Sequence, residues 1–403
     1  MFVIVGHWLL TAVQYVGGEL TASNMLVTQP GMQWLTWLFQ VMPVFFVVGG
    51  YANAVSLESA QRRGDNYAKW LAGRLHRLIT PLLAVLMGWG LLALVLHFAG
   101  MSGAVIQQAS KAALVPIWFL AIYVVIVLLA PVTYAAWQRW GFASFFVLVA
   151  LAILDDFAFF AWDLRWLGVT NYFWVWLSVH HIGYAWRADR LGGPVRLLAF
   201  SALAYGLLVF LVNKGPYPLA MVGSPDPAVS NSLPPKITML ILGIFQFGLL
   251  LAFEGPMQRQ LAGVRVWAGT ILVNSMIMTL YLWHSTLAVI VIAVLFVAGG
   301  FGLGLEPGTA DWWYTRPLWV LSLLALLVPV ALLLSVFERR GRPEGAPIPA
   351  GWRQVTGAVM IGLGVALIGK FGFGNSPLPN LDIAAFILVF AGAGLSGLLP
   401  RFR

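Results

Sequence analysis

Two histidines in this chain fall inside apolar runs, where an ionisable group is costly and is by default a candidate for function. His7 lies in the opening run, about nine residues from its outer end. At ~1.5 Å per residue that is ~14 Å, close to the middle of a bilayer. Histidine, with an ordinary pKa of about 6.5, is the natural general base at neutral pH; the plainer reading is a histidine hydrogen-bonded between helices. His284 stands in Tyr281-Leu282-Trp283-His284-Ser285 and is expected somewhat outside the midplane, with Asn274 and Ser275 earlier in its run as polar glue between helices. His180 and His181 are expected near the cytoplasmic end of a run that Asn171 opens. There they would touch a cytoplasmic donor or sit at the interface. Asp155 and Asp156 fall late in another run, with Asp163 and Arg165 just beyond. A carboxylate here would orient a histidine or bind a hydroxylated acceptor; an ion pair with Arg165 is the alternative.

A second kind of chemistry is written in Arg74-x-x-Arg77. Residues three apart share a helix face, so two guanidiniums point the same way, and each offers a planar fork of donors suited to phosphate. The competing reading is a basic cytoplasmic loop of the usual kind, since Arg62, Arg63 and Lys69 stand nearby. His76 and His97 read as interfacial. Other chemistries are excluded. Without cysteine there is no thiolate, disulfide or zinc-thiolate site. Neither His-Glu-x-x-His nor clustered carboxylates suggest a metal, and no G-x-S-x-G elbow is present. Gly299-Gly300-Phe301-Gly302-Leu303-Gly304 follows an apolar run rather than a strand, which rejects a dinucleotide site.

The elements that must position these groups follow from composition. Of 403 residues, 61% are hydrophobic and 9% charged, and the mean hydropathy is +0.87. Repeated continuous apolar runs of about 20 residues make this an all-α polytopic integral membrane protein; a β-barrel would alternate. Runs are read at 1–16, 35–57, 78–99, 114–136, 143–160, 170–186, 196–213, 237–253, 270–298, 317–337, 355–371 and 383–399. With the 58–77 loop in the cytoplasm, seventeen of the 23 lysines and arginines fall on the cytoplasmic side and six outside. That bias supports about twelve transmembrane helices with both termini cytoplasmic, in a plasma or inner membrane. The basic residues therefore report topology, and no nucleic acid is implied by the net charge of +9.

The first run is short, with about 16 apolar residues before Gly17-Gly18-Glu19 against the ~20 a crossing needs. It has neither the charged start nor the small-residue cleavage site of a signal peptide, so its helix is expected to begin upstream of Met1. The outer loop 214–236, rich in proline and glycine, is irregular surface chain that would cover a substrate entrance or simply connect. The basic hinge 338–354 separates a core, 1–340, from two further C-terminal helices in 341–403, which carry no motif.

Taken together and in order, these pieces resemble the membrane-bound acyltransferase-3 family over roughly residues 1–340. The marks are His7 in an early helix, Pro43-Val-Phe-Phe-Val-Val-Gly-Gly-Tyr51, Arg74-x-x-Arg77-x-x-x-Pro81, Ile117-Trp-Phe-Leu120 and Tyr281-Leu-Trp-His284. Asn171-Tyr172, Val179-His180 and the proline-rich loop are similar to actinobacterial members. The resemblance implies transfer of an acyl group, often acetyl, from cytoplasmic acyl-CoA (a co-substrate, with no tightly bound cofactor) to a hydroxyl of an extracytoplasmic sugar, glycan or glycolipid. It makes His7 the base, with His284 as a second catalytic histidine, and Arg74 and Arg77 the contacts to the donor's phosphates. Trp118 and Tyr51 would lie beside the donor. Asp155, Asp156, Asn171, His180 and His181 are the candidates for holding or orienting the acceptor. The family also places an arginine about ten residues before the first-helix histidine, a position this chain starts too late to contain.

Two other classes compete. A transporter or flippase for a small solute or glycolipid fits twelve helices with midplane polar groups, against which stand a one-sided basic mouth and no repeat of the first half in the second. The other is a non-catalytic partner in envelope assembly. CoA binding separates them, since only the acyltransferase demands it.

Overall fold

The computed structural model describes the whole chain except residues 224–228, 340, 344, 376, 379 and 400–403. Helix α1 (Phe2–Leu10) leads into a hairpin of β1 (Thr11–Val16) and β2 (Glu19–Asn24), then α2 (Met25–Thr28), a 3-10 turn (Pro30–Leu35) and α3 (Thr36–Phe39). Longer helices follow: α4 (Met42–Arg62), α5 (Tyr67–Phe98), α6 (Gly103–Leu114), α7 (Ile117–Trp140), α8 (Phe142–Ala161), α9 (Asn171–Arg187), α10 (Pro194–Lys214) and α11 (Ile237–Ala252). The chain ends with α12 (Glu254–Leu261), α13 (Val264–Asn274), α14 (Ile277–Val297), α15 (Ala310–Leu334), α16 (Val336–Arg339), α17 (Gly351–Phe371) and α18 (Leu381–Leu395). Among the described residues eight helices are long and apolar enough to cross a membrane, and nine if α11 and α12, bent by 56°, make one crossing.

Several expectations are corrected. The run 1–16 is not one helix: it turns from α1 into a strand at Thr11. Gly17 and Gly18 have φ of 63° and 93°, the positive values that a two-residue hairpin turn requires and glycine adopts freely. Thr, Val, Tyr and Val in β1 favour the extended chain. The run 270–298 is broken between α13 and α14. The loop expected over 58–77 shrinks to four residues, because α4 continues to Arg62 and α5 begins at Tyr67. The Asn66 side chain caps α5 by accepting from Lys69 N at 2.9 Å, and Lys69 pairs with Asp65 at 2.5 Å. Arg74 and Arg77 thus stand in the second and third turns of α5, not at its mouth.

The chain divides into two compact units. Unit 1 comprises Met1–Val3, Asn24–Arg63 and Leu129–Trp267. Its centre is the α4–α9 crossing, where Gly50 and Gly183 let the two backbones touch, Phe46 stacks on Trp176 at 4.3 Å and Asn53 meets His180 at 3.1 Å. The described part of the 214–236 connector is not loose: Trp37 Nε1 donates to Leu219 O at 2.8 Å, Gln40 Nε2 to Met221 O at 3.1 Å, and Met221 N to Thr36 Oγ1 at 2.8 Å.

Unit 2 comprises Ile4–Ser23, Gly64–Leu128 and Ala268–Arg403. One apolar cluster joins Ile4 and Trp8 of α1 to Met276 and Leu280 and to Leu323, Leu327 and Ala331 of α15. The hairpin docks on the glycine-rich connector after α14: Tyr15 N donates to Leu303 O at 2.8 Å, and the Tyr15 ring covers Gly300. That gives the glycine run its physical role, a set of positive-φ turns under an aromatic ring. α17 and α18 pack backbone to backbone through Gly357, Gly364 and Gly392.

Candidate functional site

The chain brings His7 and His284, 277 positions apart, into direct contact: Nδ1 of His7 lies 2.9 Å from Nε2 of His284. The rings stack with centroids 5.1 Å apart and planes 23° from parallel. Local sequence explains how. The apolar cluster seats α1 against α14 and α15, and Trp8, the neighbour of His7, donates its indole N–H to His284 O at 3.1 Å.

The hydrogen bonds assign the protons. His284 Nδ1 faces Tyr281 O at 2.6 Å. A carbonyl oxygen only accepts, so Nδ1 of His284 carries a proton and its Nε2 offers a lone pair. The 2.9 Å contact is then a donation from His7 Nδ1–H to His284 Nε2, which Ser285 Oγ also approaches at 3.1 Å. His7 is left with its own Nε2 unprotonated. His284 is wholly buried and His7 only partly, so the free lone pair belongs to the more accessible ring. The arrangement can accept a proton at His7 Nε2, while His284 holds the tautomer as the carboxylate does in a hydrolase triad.

The first turn of α14 is anchored by a residue that sequence reasoning missed. Glu338, from α16, accepts from Met278 N at 3.1 Å, from Thr279 N at 2.9 Å and from the Thr279 hydroxyl at 2.8 Å. A carboxylate on the unsatisfied N–H groups of a helix start is favourable both as a cap and toward the helix dipole. Because His284 sits less than two turns on, Glu338 positions it. The Glu338→Ala substitution is expected to cost about 1–2 kcal/mol, read as a lower thermal midpoint together with faster amide exchange at residues 278–280. Glu338→Gln, which keeps acceptor oxygens, should recover part of that loss. An unchanged midpoint and unchanged exchange in Glu338→Ala would refute the capping role.

Arg74 and Arg77 belong to the same unit. Arg74 faces the hydroxyl of Tyr123 in α7 and feels the charge of Arg77, and Arg77 is exposed. Trp118 lies half-buried at the start of α7, next to Phe119, whose ring meets Tyr281 edge-on at 6.0 Å. α5 also reaches α14 directly, since Trp89 Nε1 donates to Thr286 Oγ1 at 2.9 Å, two residues past His284.

The remaining candidates lie in unit 1. Tyr51 packs on Trp186 with ring centroids 4.2 Å apart, beside Arg187, which pairs with Glu58 at 2.7 Å. His181 donates from Nδ1 to Leu177 O at 2.9 Å, and His180 meets Asn53; both histidines are buried in α9. Asp156 accepts from Asn171 Nδ2 at 2.9 Å, Tyr217 O–H at 3.1 Å and Ile237 N at 2.8 Å. Lys236 Nζ lies 3.7 Å from it and over the Phe159 ring. Burial pulls the Lys236 ammonium below its usual range against the opposing pull of Asp156, and pushes the Tyr217 hydroxyl up. Asp155 accepts from Thr170 Oγ1 through one oxygen. Arg165 pairs not with either of these carboxylates but with Asp163, at 2.7 Å. No group of three or more histidines, aspartates or glutamates able to hold a metal occurs among the described residues.

Comparison with known proteins bears on the family. The family model of the third acyltransferase type, described as an acyltransferase domain, matches residues 1–336. No curated protein and no solved structure matches the chain.

Proposed function

The chain belongs to the acyltransferase-3 family of membrane enzymes, and from that premise we propose that it moves an acyl group, acetyl in the first instance, from acyl-CoA to a hydroxyl on an extracytoplasmic sugar, glycan or glycolipid. The observation that carries the reading is the His7–His284 pair. His7 Nε2 takes the proton of the acceptor hydroxyl as its oxygen attacks the thioester carbonyl carbon. The carbon–sulfur bond breaks, the acceptor oxygen keeps the acyl group, and the imidazolium returns its proton to the departing CoA sulfur. His284 Nε2 accepts from His7 Nδ1–H throughout, which fixes the ring and supports its positive charge. A thioester is already activated, so proximity and a positioned base are what the protein must add.

Arg74 and Arg77 are assigned to the CoA phosphates, with Trp118 beside the donor, and the arginine-bearing end of α5 is assigned to the cytoplasm of a bacterial inner membrane. The same assignment takes the short α9 and α18 as crossings beside the longer helices, with the end of α18 on the cytoplasmic side. Arg74 precedes Trp89 by fifteen residues, about 22 Å along α5, and Trp89 touches α14 at the level of the dyad. A donor gripped by its phosphates therefore needs a long thin arm to present its thioester, and the pantetheine arm of CoA is of that kind.

The test requires no knowledge of the acceptor. Binding to the folded state alone stabilises a protein by about 2.7 kcal/mol at a hundred times the dissociation constant. CoA and acetyl-CoA are expected to raise the thermal midpoint of the purified protein, and the Arg74→Ala/Arg77→Ala variant is expected to lose that rise. No rise at millimolar ligand in folded protein would overturn the donor assignment and favour a transporter.

A further inference from the structure

Beyond residue 336 the family match ends, yet α17 and α18 build something there with the core of unit 2. A cavity of about 550 Å³ opens between α5, α6 and the α17–α18 connector, within the ~300–1,000 Å³ of ordinary small-ligand sites. One wall is apolar: Met87, Leu91 and Leu94 from α5 face Ile383 and Phe386 from α18. The rim is polar, with His97, Asn375, Asn380 and Asp382. Among the described residues that line it there is neither lysine nor arginine.

The rim is built rather than incidental. Asp382 accepts from Gly374 N at 2.8 Å and from Ile383 N at 3.0 Å. Gln107 of α6 donates to Phe371 O and to Asn375 O, and Phe373 N donates to Ser110 Oγ at 2.8 Å. Gly372 and Gly374, with φ of 69° and 102°, let the connector run against α6, where a Cβ on Gly374 would strike Ile106. On the floor the Phe386 ring lies directly over Gly90, 2.7 Å from where a Cβ would stand.

Position identifies the occupant. His97 is twenty-three residues after Arg74 on α5, about 35 Å along the helix, so the rim lies at the end of the crossing opposite the arginines. Leu91 and Leu94 keep more than half their surface uncovered on a membrane-crossing helix, so bilayer chains reach the apolar wall. The rim holds a carboxylate, two amides and an imidazole, groups that all hydrogen-bond hydroxyls, and the one charge among them, the Asp382 carboxylate, repels a phosphate.

We propose that this cavity binds a membrane lipid with an uncharged, hydroxyl-bearing head, seated head-up at His97, Asn375, Asn380 and Asp382 with a chain along α5 and α18, in the leaflet opposite the basic end. The site is separate from the His7–His284 dyad, neither of whose residues lines it.

The experiment uses the full chain in nanodiscs and two photoactivatable probes of equal chain length, a monoglycosyl diacylglycerol and a phosphatidylglycerol. The glycolipid is expected to label residues 91–94 and 383–386 at least about fivefold more than the anionic probe. Leu94→Trp, which fills the groove from an exposed position, is expected to abolish that labelling and leave the CoA-dependent rise in thermal midpoint intact. Equal labelling by both probes means bulk lipid only and overturns the proposal, as does labelling that survives Leu94→Trp. If the tryptophan variant does not fold, competition on the wild type decides: unlabelled glycosyl diacylglycerol must displace the probe where phosphatidylglycerol does not. Because CoA binding is read on the same sample, failure here is distinguishable from failure of the acyltransferase reading.

Discussion

The His7→Asn enzyme is expected to transfer acyl groups about two to four orders of magnitude more slowly than the wild type, with CoA binding undiminished. Asparagine places an amide N–H where His7 Nδ1 stands, so the donation to His284 Nε2 (2.9 Å in the wild type) has a substitute and the α1–α14 contact is kept. What disappears is the lone pair of Nε2. A loss of rate with an unchanged thermal midpoint and an unchanged CoA response therefore isolates the base from the packing. CoA release from acetyl-CoA in native membranes, where the acceptor is supplied by the cell, is the assay. The wild-type rate should fall as pH drops through the titration of the pair, because a protonated His7 accepts nothing; the residual rate of His7→Asn should lack that dependence. His284→Gln should be milder, about ten- to a hundredfold, since an amide oxygen can accept from His7 Nδ1–H while the ring's fixed tautomer is lost. A His7→Asn enzyme with wild-type turnover would refute the proposed chemistry outright.

How much of this was readable beforehand varies by residue. His7 and His284 each stand out as ionisable groups in apolar runs, but nothing in a single sequence says that positions 277 apart share a hydrogen bond; that depends on how α1 seats on α14 and α15. The membrane class is written in the composition, and hydropathy locates most of the long helices. It misplaces their ends, because hydropathy reports the part of a helix in hydrocarbon, whereas the helix itself runs until capping stops it. Asn66 starts α5 two turns before its arginines, whereas the apolar run at 78–99 leaves both of them outside the helix. The opening run misled for another reason: a short apolar segment cannot be told as strand or helix by periodicity, and the one usable signal was Gly17-Gly18 after a β-branched stretch. Glu338 was hidden among the charges of a basic hinge, where a carboxylate reads as solvated; only its three hydrogen bonds to the start of α14 give it a role. Asp156 was legible as an unusual carboxylate, but the partners that engage it come from α9, from the first residue of α11 and from a connector that reads in sequence as irregular chain.

In unit 1 the largest expected effect comes from one methyl group. A Cβ on Gly183 would stand 2.5 Å from Tyr51 N and 2.8 Å from Gly50 Cα. These are backbone positions, which cannot rotate aside as a side-chain tip can. The Gly183→Ala substitution must therefore push α4 and α9 apart, and close glycine contact is what lets membrane helices gain dispersion energy where no hydrophobic drive exists between them. Overpacking of this kind costs about 1–3 kcal/mol. Separation would also strain the Phe46–Trp176 stack and the Asn53–His180 hydrogen bond in the same crossing, so the upper end of that range is expected, and Gly183→Val should fail to fold. The control lies in the same unit. Gly206 in α10 has nothing within 4 Å of an added Cβ, so Gly206→Ala should hold or raise stability, by up to about 1 kcal/mol through helix propensity alone. Thermal midpoints of the two variants in one detergent decide the matter: a large fall for Gly183→Ala beside none for Gly206→Ala locates the cost in the crossing. Equal midpoints would mean that α4 and α9 do not approach this closely. The comparison also bears on Tyr51 and the buried histidines of α9, because any part they take in recognition depends on a crossing that tolerates no side chain at position 183.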